Sequence, residues 1–234
     1  MLNLQPAELL LPLRPDGALD VHSVFATIQG EGPLAGSPAV FVRLAGCNLQ
    51  CPLCDTEYSQ YRVPLDPAGL AAAVAQERDA ARSAARLVVL TGGEPFRQDV
   101  GPALAALVAA GFSVQVETNG TLAPRGRLPN DVLVVCSPKT PKVAPGLRPY
   151  VSALKYVVTD GAVDPADGLP LGVLGLPHRV ARPWPGFPRE CVYVQPADEQ
   201  DPARNRANRD EAVRSCVRFG YRYCHQLHKE LELP

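Results

Sequence analysis

VFVRLAGCNLQCPLC, residues 40–54, is an apolar run interrupted once, at Arg43, and followed at once by Cys47, Cys51 and Cys54. Residues 40–45 read as a buried strand. Strand alternation puts Phe41, Arg43 and Ala45 on one face, so Arg43 can point inward. The strand therefore ends in a loop holding three of the chain's seven cysteines. The same pattern recurs downstream. Residues 86–90 (RLVVL) run into TGGEP at 91–95, and residues 113–117 into Thr118-Asn119-Gly120. Residues 132–136 run into Ser137-Pro138-Lys139, and residues 191–194 into Gln195-Pro196. Residues 153–158 form a further strand, and residues 221–226 a short last one. Helices are expected over residues 67–86, 99–110 and 208–219. Asp66 caps the first with Pro67 at its first helical position, and Gly111 stops the second.

Strands followed by helices imply parallel βα units. Polar and glycine motifs collect at the C-terminal ends of the strands, where parallel α/β sheets and barrels put their sites. Six strands are too few to close an eight-stranded barrel. The expectation is an α/β fold, an open partial (β/α) barrel of about six mostly parallel strands with few helices. Proline crowds residues 140–189, so the crossovers there are expected to be loops. Residues 22–234 read as a single domain, preceded by an extension over residues 1–21 that the pattern leaves unread.

The chain has 234 residues, 46% of them hydrophobic, and a formal net charge of -1. A sizeable core is available, and nothing in the charge favours nucleic acid or an anionic membrane as partner. No apolar stretch approaches the ~20 residues of a membrane span. The Leu-rich start is broken by Pro12 and lacks the features of a signal peptide, so a cytoplasmic protein is expected. Seven cysteines cannot all pair within the chain. Cys136, Cys191, Cys216 and Cys224 stand in apolar contexts and read as reduced, mostly buried thiols.

Three thiolates at Cys-x3-Cys-x2-Cys spacing can grip a soft metal centre from one side. A structural zinc site normally needs four ligands. Of His22, His178, His225 and His228, only the last two lie close together, and no cysteine pair accompanies them at zinc-finger spacing. A [4Fe-4S] cluster held by three cysteines leaves one iron free for a small molecule. The spacing resembles the motif of the radical S-adenosylmethionine enzymes. In that superfamily the methionyl group chelates the open iron, and an electron from the cluster releases a 5′-deoxyadenosyl radical. TGGEP resembles the strand end that binds the methionyl amine there. Leu53 departs from the pattern, since an aromatic residue usually stands there near the adenine.

The flanking motifs are FATIQGEG (25–32), AVFVRLAGCNLQC (39–51), CDTEY (54–58), VETNG (116–120), CSPK (136–139), VQPAD (194–198) and the terminal HKELELP. With the cysteines and TGGEP, these resemble the 7-carboxy-7-deazaguanine synthase family from about residue 22 to Pro234. The resemblance implies a radical ring contraction of 6-carboxy-5,6,7,8-tetrahydropterin to 7-carboxy-7-deazaguanine with loss of ammonia, aided by Mg2+. Thr56 matches the family's Mg2+ position, although Asp55 is the harder ligand by chemical intuition. Gly93, Glu94, Ser137, Pro138, Lys139, Gln195, Pro196, Ala197 and Asp198 match cofactor positions, and Glu117 is grouped with them. Ile28, Gln29, Gly30 and Thr91 match the substrate side; Asn119, like Glu117, ends a strand and can reach the ribose or the substrate, and is grouped with the substrate.

A buried guanidinium needs a carboxylate partner. For Arg43 that partner is either the substrate or an internal Asp or Glu. Lys155, in the apolar strand ALKYVV, either snorkels outward or serves the site. His228 and the terminal carboxylate of Pro234 are expected to fold over the pterin. A homodimer and a flavodoxin or ferredoxin as electron donor follow from the same resemblance. The rival readings are a glycyl-radical activase and a zinc-stabilised binding module.

Overall fold

The computed structural model describes residues 2–176 and 178–233. Among these, nine strands form one sheet. They are β1 (Leu19–Ile28), β2 (Pro38–Leu44), β3 (Val63–Leu65), β4 (Leu87–Gly92), β5 (Ser113–Thr118), β6 (Val132–Cys136), β7 (Val151–Val158), β8 (Val192–Pro196) and β9 (Arg222–Tyr223). The spatial order is β3-β1-β2-β4-β5-β6-β7-β8-β9, which does not close on itself. β1 is antiparallel to both its neighbours, and every pairing from β2 to β9 is parallel. The open, mostly parallel α/β sheet is the expected one. No described helix is long and apolar enough to cross a membrane.

α1 (Pro67–Ala80) starts at Asp66, whose side chain accepts from Gly69 N at 2.7 Å. It ends six residues earlier than the alanine-rich composition suggests, because Arg82 turns to φ 50 and the chain leaves the helix. α2 (Gly101–Ala109) packs against α1. α3 (Pro202–Phe219) begins six residues before the expected start. The reason is a second Asp-Pro cap: Asp201 accepts from Ala203 N and Arg204 N, both at 2.9 Å. Gly220, at φ 77, ends it. α4 (Leu227–Glu230) is a single turn. Among the described residues the two Pro-rich crossovers, 137–150 and 159–191, contain no α-helix, in keeping with their composition.

Two strands were not expected. β1 is masked in the sequence by a register shift between Val21 and Ser23, which breaks its alternation. It includes residues 19–21, so the sheet begins upstream of residue 22. Ile28 is the last residue of β1 rather than part of a loop. β3 is only three residues long, and β9 two, shorter than the expected 221–226.

Alternation gives the sheet two different faces. Val40, Val42, Leu44, Leu90, Val116 and Leu154 are fully buried in the main core, which also takes in Leu70 and Val74 of α1 and Leu104 and Leu107 of α2. Burying each such side chain is worth about 1.5–3 kcal/mol before entropy is charged. On the other face two small apolar patches, Ala39-Leu87-Val89 and Val135-Ala153-Tyr193-Cys224, flank a polar strip. That strip comprises Arg43, Thr91, Gln115, Glu117, Lys155 and Gln195.

Candidate active site

β2 delivers the chain into residues 45–62, which have no helix or strand. Gly46 N donates to Tyr58 O at 2.8 Å and closes the neck of this loop, and Cys54 N donates to Cys51 O at 3.1 Å. Cys47 and Cys51 are buried and Cys54 is half-buried. Burial pushes all three thiols up, Cys47 to about 12, with Cys51 and Cys54 adding to the rise at Cys47 and Cys54 to that at Cys51. A metal centre is what would make thiolates tolerable in such a place. Among the described residues no three Cys, His, Asp or Glu side chains converge on a point as ligands of one ion. Tetrahedral zinc with Zn–S of about 2.3 Å needs sulfurs about 3.8 Å apart. An iron–sulfur cluster takes one thiolate per iron and spreads its ligands wider. Three thiols on one short loop are a donor set of the chemistry that soft metal centres, iron–sulfur clusters among them, use.

The end of β4 lies directly on this loop. A Cβ at Gly93 would stand 2.0 Å from Gly46 O and 2.8 Å from Cys47 N, so only glycine permits the approach. Glu94 N donates to Gly46 O at 3.0 Å. The Glu94 side chain is fully buried and points the other way. It accepts from Phe96 N at 3.0 Å, Thr118 Oγ1 at 2.8 Å and Asn119 N at 2.7 Å. Burial pushes its carboxyl up to about 7 against those hydrogen bonds. Glu94 therefore ties the end of β4 to the end of β5. Asn119 Nδ2 donates to Asn48 Oδ1 at 3.0 Å and lies 3.9 Å from Cys47 Sγ.

The ladder continues through backbone. Ser137 N donates to Thr118 O at 2.8 Å and Lys139 N to Asn119 O at 3.2 Å, with Pro138 between them. Lys139 Nζ donates to Ser137 O at 3.1 Å. Burial and the charge of Lys155 hold the Lys139 amine below its ordinary range, against the pull of Cys51, Cys136 and Cys54.

Below the loop, on the polar strip, Gln29 Nε2 and Gln115 Nε2 donate to Glu117 Oε1 at 3.0 and 3.1 Å, and Thr91 Oγ1 to Oε2 at 3.3 Å. Thr91 is the register partner of Arg43. The Arg43 guanidinium lies 5.4 Å over the Phe25 ring, and its Nε is buried with no acceptor. No carboxylate forms an ion pair with it among the described residues. Burial lowers its pKa while Asp55, Glu57, Cys54 and Glu117 oppose that. The two polar residues at the end of β5 take different partners. Glu117, grouped with the cofactor residues, bonds to the substrate-side Gln29 and Thr91. Asn119, grouped with the substrate, leans on the cysteine loop.

A third group centres on Glu31. Its carboxylate pairs with Lys155 Nζ and accepts from Gln195 Nε2 at 3.1 Å and Gln226 Nε2 at 2.8 Å. Lys155 does not snorkel: its amine is buried and paired. His228 packs against Gly30, and Leu227 N donates to Gly30 O at 3.1 Å. Lys229 Nζ bridges Asp55 at 3.2 Å and Asp198 at 3.1 Å, joining the cysteine loop to the end of β8. Pro196 closes β8, and Ala197 N donates to Val158 O at 2.8 Å. The Thr56 hydroxyl is 3.5 Å from Asp55 Oδ1. The expected role of Pro234 lies outside the described residues.

No family model matches the chain. It is 46% identical over 228 residues to the 7-carboxy-7-deazaguanine synthase of Rhodospirillum rubrum, across 92% of this chain and 93% of that one. Identity to the synthase of Rickettsia prowazekii is 37%, across 94% and 91%. Identity to that of Bordetella pertussis is 35%, across 93% and 100%. The chain belongs to the 7-carboxy-7-deazaguanine synthase family. The crystal structure of QueE from Escherichia coli matches its fold with a TM-score of 0.67 at 23% identity, over 90% of this chain and 95% of that one.

In this member of the synthase family, sequence reasoning missed Glu31, Asn48 and Lys229 as organisers of the site. Glu31 stands inside FATIQGEG and so carried a signal. Asn48 is one residue from Cys47, but its partner Asn119 is distant in sequence.

Proposed function

We infer that this chain is a 7-carboxy-7-deazaguanine synthase, a radical S-adenosylmethionine lyase that converts 6-carboxy-5,6,7,8-tetrahydropterin to 7-carboxy-7-deazaguanine with loss of ammonia. The observation that carries the substrate assignment is Arg43. Among the described residues Arg43 has acidic groups near it but no carboxylate in an ion pair, and its buried orphan N–H is costly unless a ligand carboxylate completes it. The carboxypterin supplies one. Glu117, already accepting from three side chains, and Gln29 offer a fixed acceptor and amide for a pterin edge. His228 is held toward its neutral form, chiefly by burial, and so can both donate and accept.

Cys47, Cys51 and Cys54 hold a [4Fe-4S] cluster in this reading. When bound, it supplies the electron that splits S-adenosylmethionine into a 5′-deoxyadenosyl radical. Gly93, Ser137, Pro138, Lys139 and residues 195–198 line the strand ends assigned to that cofactor, and Glu94 braces them. Thr56 gives its hydroxyl to Mg2+. We further propose a homodimeric, cytoplasmic single-domain enzyme served by a flavodoxin or ferredoxin, with no direct nucleic-acid or membrane partner.

The test is anaerobic reconstitution with iron and sulfide, then reductant, S-adenosylmethionine, Mg2+ and the carboxypterin, with the product read by mass. A brown protein that forms the deazaguanine supports the assignment. A colourless zinc protein overturns it, as does cofactor cleavage coupled to a glycyl-radical partner without pterin turnover.

A further inference from the structure

Residues 2–12 form an extended strap across the cysteine loop. Most of its leucines face away: Leu4 and Leu9 are 85% and 89% exposed and only Leu11 is half-buried, so apolar burial is not what chiefly holds it. Polar contacts hold it instead, and they go to the backbone around the cysteines. Asn3 N donates to Pro52 O at 2.8 Å and Asn3 Nδ2 to Cys51 O at 3.1 Å. Gln5 Nε2 donates to Thr56 O at 2.8 Å, while Gln5 Oε1 accepts from Tyr58 N at 2.7 Å. Glu8 N donates to Cys47 O at 2.7 Å. Asn3 Oδ1 also accepts from Gln5 N at 3.0 Å and Gln5 Nε2 at 3.1 Å, which sets the two side chains relative to each other.

The other end of the strap is anchored to a buried cation. Arg97 is 1% exposed and pairs with Glu8 Oε2 at 3.1 Å. Its Nη1 donates to Leu9 O at 2.6 Å and its Nη2 to Ala45 O at 3.2 Å. Leu11 N returns a bond to Arg97 O at 3.1 Å. The guanidinium lies so close to Gly46 that a Cβ there would meet it at 2.1 Å. Arg97 thus grips the strap and the residue before Cys47 together.

A loop without regular structure has few bonds of its own to hold three thiols in one arrangement. We propose that Asn3, Gln5 and Glu8, anchored by Arg97, are positioning residues that clamp the cysteine loop, so that Cys47 and Cys51 are set before a cluster arrives. The consequence for the cluster rests on the function proposed above; the clamp itself does not.

The experiment compares the full-length protein with its Asn3→Ala/Gln5→Ala variant, both free of iron, by iodoacetamide labelling of each cysteine read by peptide mass. Losing three short hydrogen bonds from a locally opening loop should speed labelling of Cys47 and Cys51 by roughly tenfold or more. Cys136 and Cys216, buried in the main core, should label as slowly as before. Reconstituted variant should also release iron to a chelator faster than reconstituted wild type. Equal labelling of Cys47 and Cys51 in the two proteins overturns the clamp. So does a rise shared by Cys136 and Cys216, which would mean general unfolding. A second variant, Gln5→Glu, keeps the acceptor for Tyr58 N and loses the donor to Thr56, and should fall between the two. If wild type takes up no iron, the proposed function fails while the labelling still decides the clamp.

Discussion

Replacing Glu31 by Gln removes the counter-charge of Lys155 while keeping the shape of the side chain. The side chains of Glu31 and Lys155 are 14% and 8% exposed, so solvent screens the pair little. Burial alone would raise the Glu31 carboxyl. The charge of Lys155, its hydrogen bond and that of Gln226 outweigh burial and bring the group down to about 2 from an ordinary 4.5. Lys155 is raised in return, with burial opposing. The gap for Glu31 is worth about 3 kcal/mol of native stability near neutral pH. Breaking one side of a buried pair costs about 3–5 kcal/mol by a separate route, because the stranded ammonium stays buried. Glu31→Gln is therefore expected to lose about 3–4 kcal/mol in urea unfolding at pH 7, followed by circular dichroism. Glu31→Gln/Lys155→Met should lose clearly less than the two single variants together, since no charge is then stranded.

The pH dependence has a definite sign. The folded value lies below the unfolded one, so the contribution is full above about 4.5 and drains as pH falls toward about 2. That slope should be absent in Glu31→Gln. A Glu31→Gln protein within about 1 kcal/mol of wild type, or full additivity in the double variant, would refute the account of a charged, buried pair.

Arg43→Ala should lower kcat/KM for the carboxypterin by roughly 10²–10³-fold, the worth of a charge-assisted carboxylate contact, while uncoupled cofactor cleavage stays measurable by chromatography. Gly93→Ala should cut iron retention after reconstitution, measured per mole of protein, because its Cβ would press on Gly46 O at 2.0 Å. Thr56→Val should raise the Mg2+ concentration needed for half-maximal turnover without changing iron content. Asp66→Ala and Asp201→Ala should each cost about 1 kcal/mol in thermal unfolding and leave the reconstituted protein's iron content unchanged, since each removes only a helix cap.

Much of this architecture was legible along the chain. The strands at β2, β4, β5, β6, β7 and β8 announce themselves by short apolar runs, and the glycine, cysteine and Ser-Pro-Lys motifs follow directly at their ends. The Asp66-Pro67 cap fixed the start of α1, and the same signature at Asp201-Pro202 was available but unused. β1 escaped because its bulge near Val21 spoils the alternation that marks a strand. The N-terminal strap escaped because its leucines suggest burial, whereas its polar side chains make the contacts.

Periodicity, caps and motif spacing are local, so the sequence by itself determined the run of strands from β2 through β8 apart from β3, their mostly parallel open sheet and the triplet of thiols, and its motifs together carried the family resemblance. Only the tertiary structure decided which buried polar groups meet. Glu31 and Lys155 lie 124 residues apart, and nothing near either one names the other. Glu117 turns to Gln29 from within β5, whereas Asn119 lies one residue past its end, beside the cysteine loop, and turns to Asn48. Buried charges and amides take whatever partner the sheet order and strand register bring within about 3 Å, and that proximity exists only once the chain has folded.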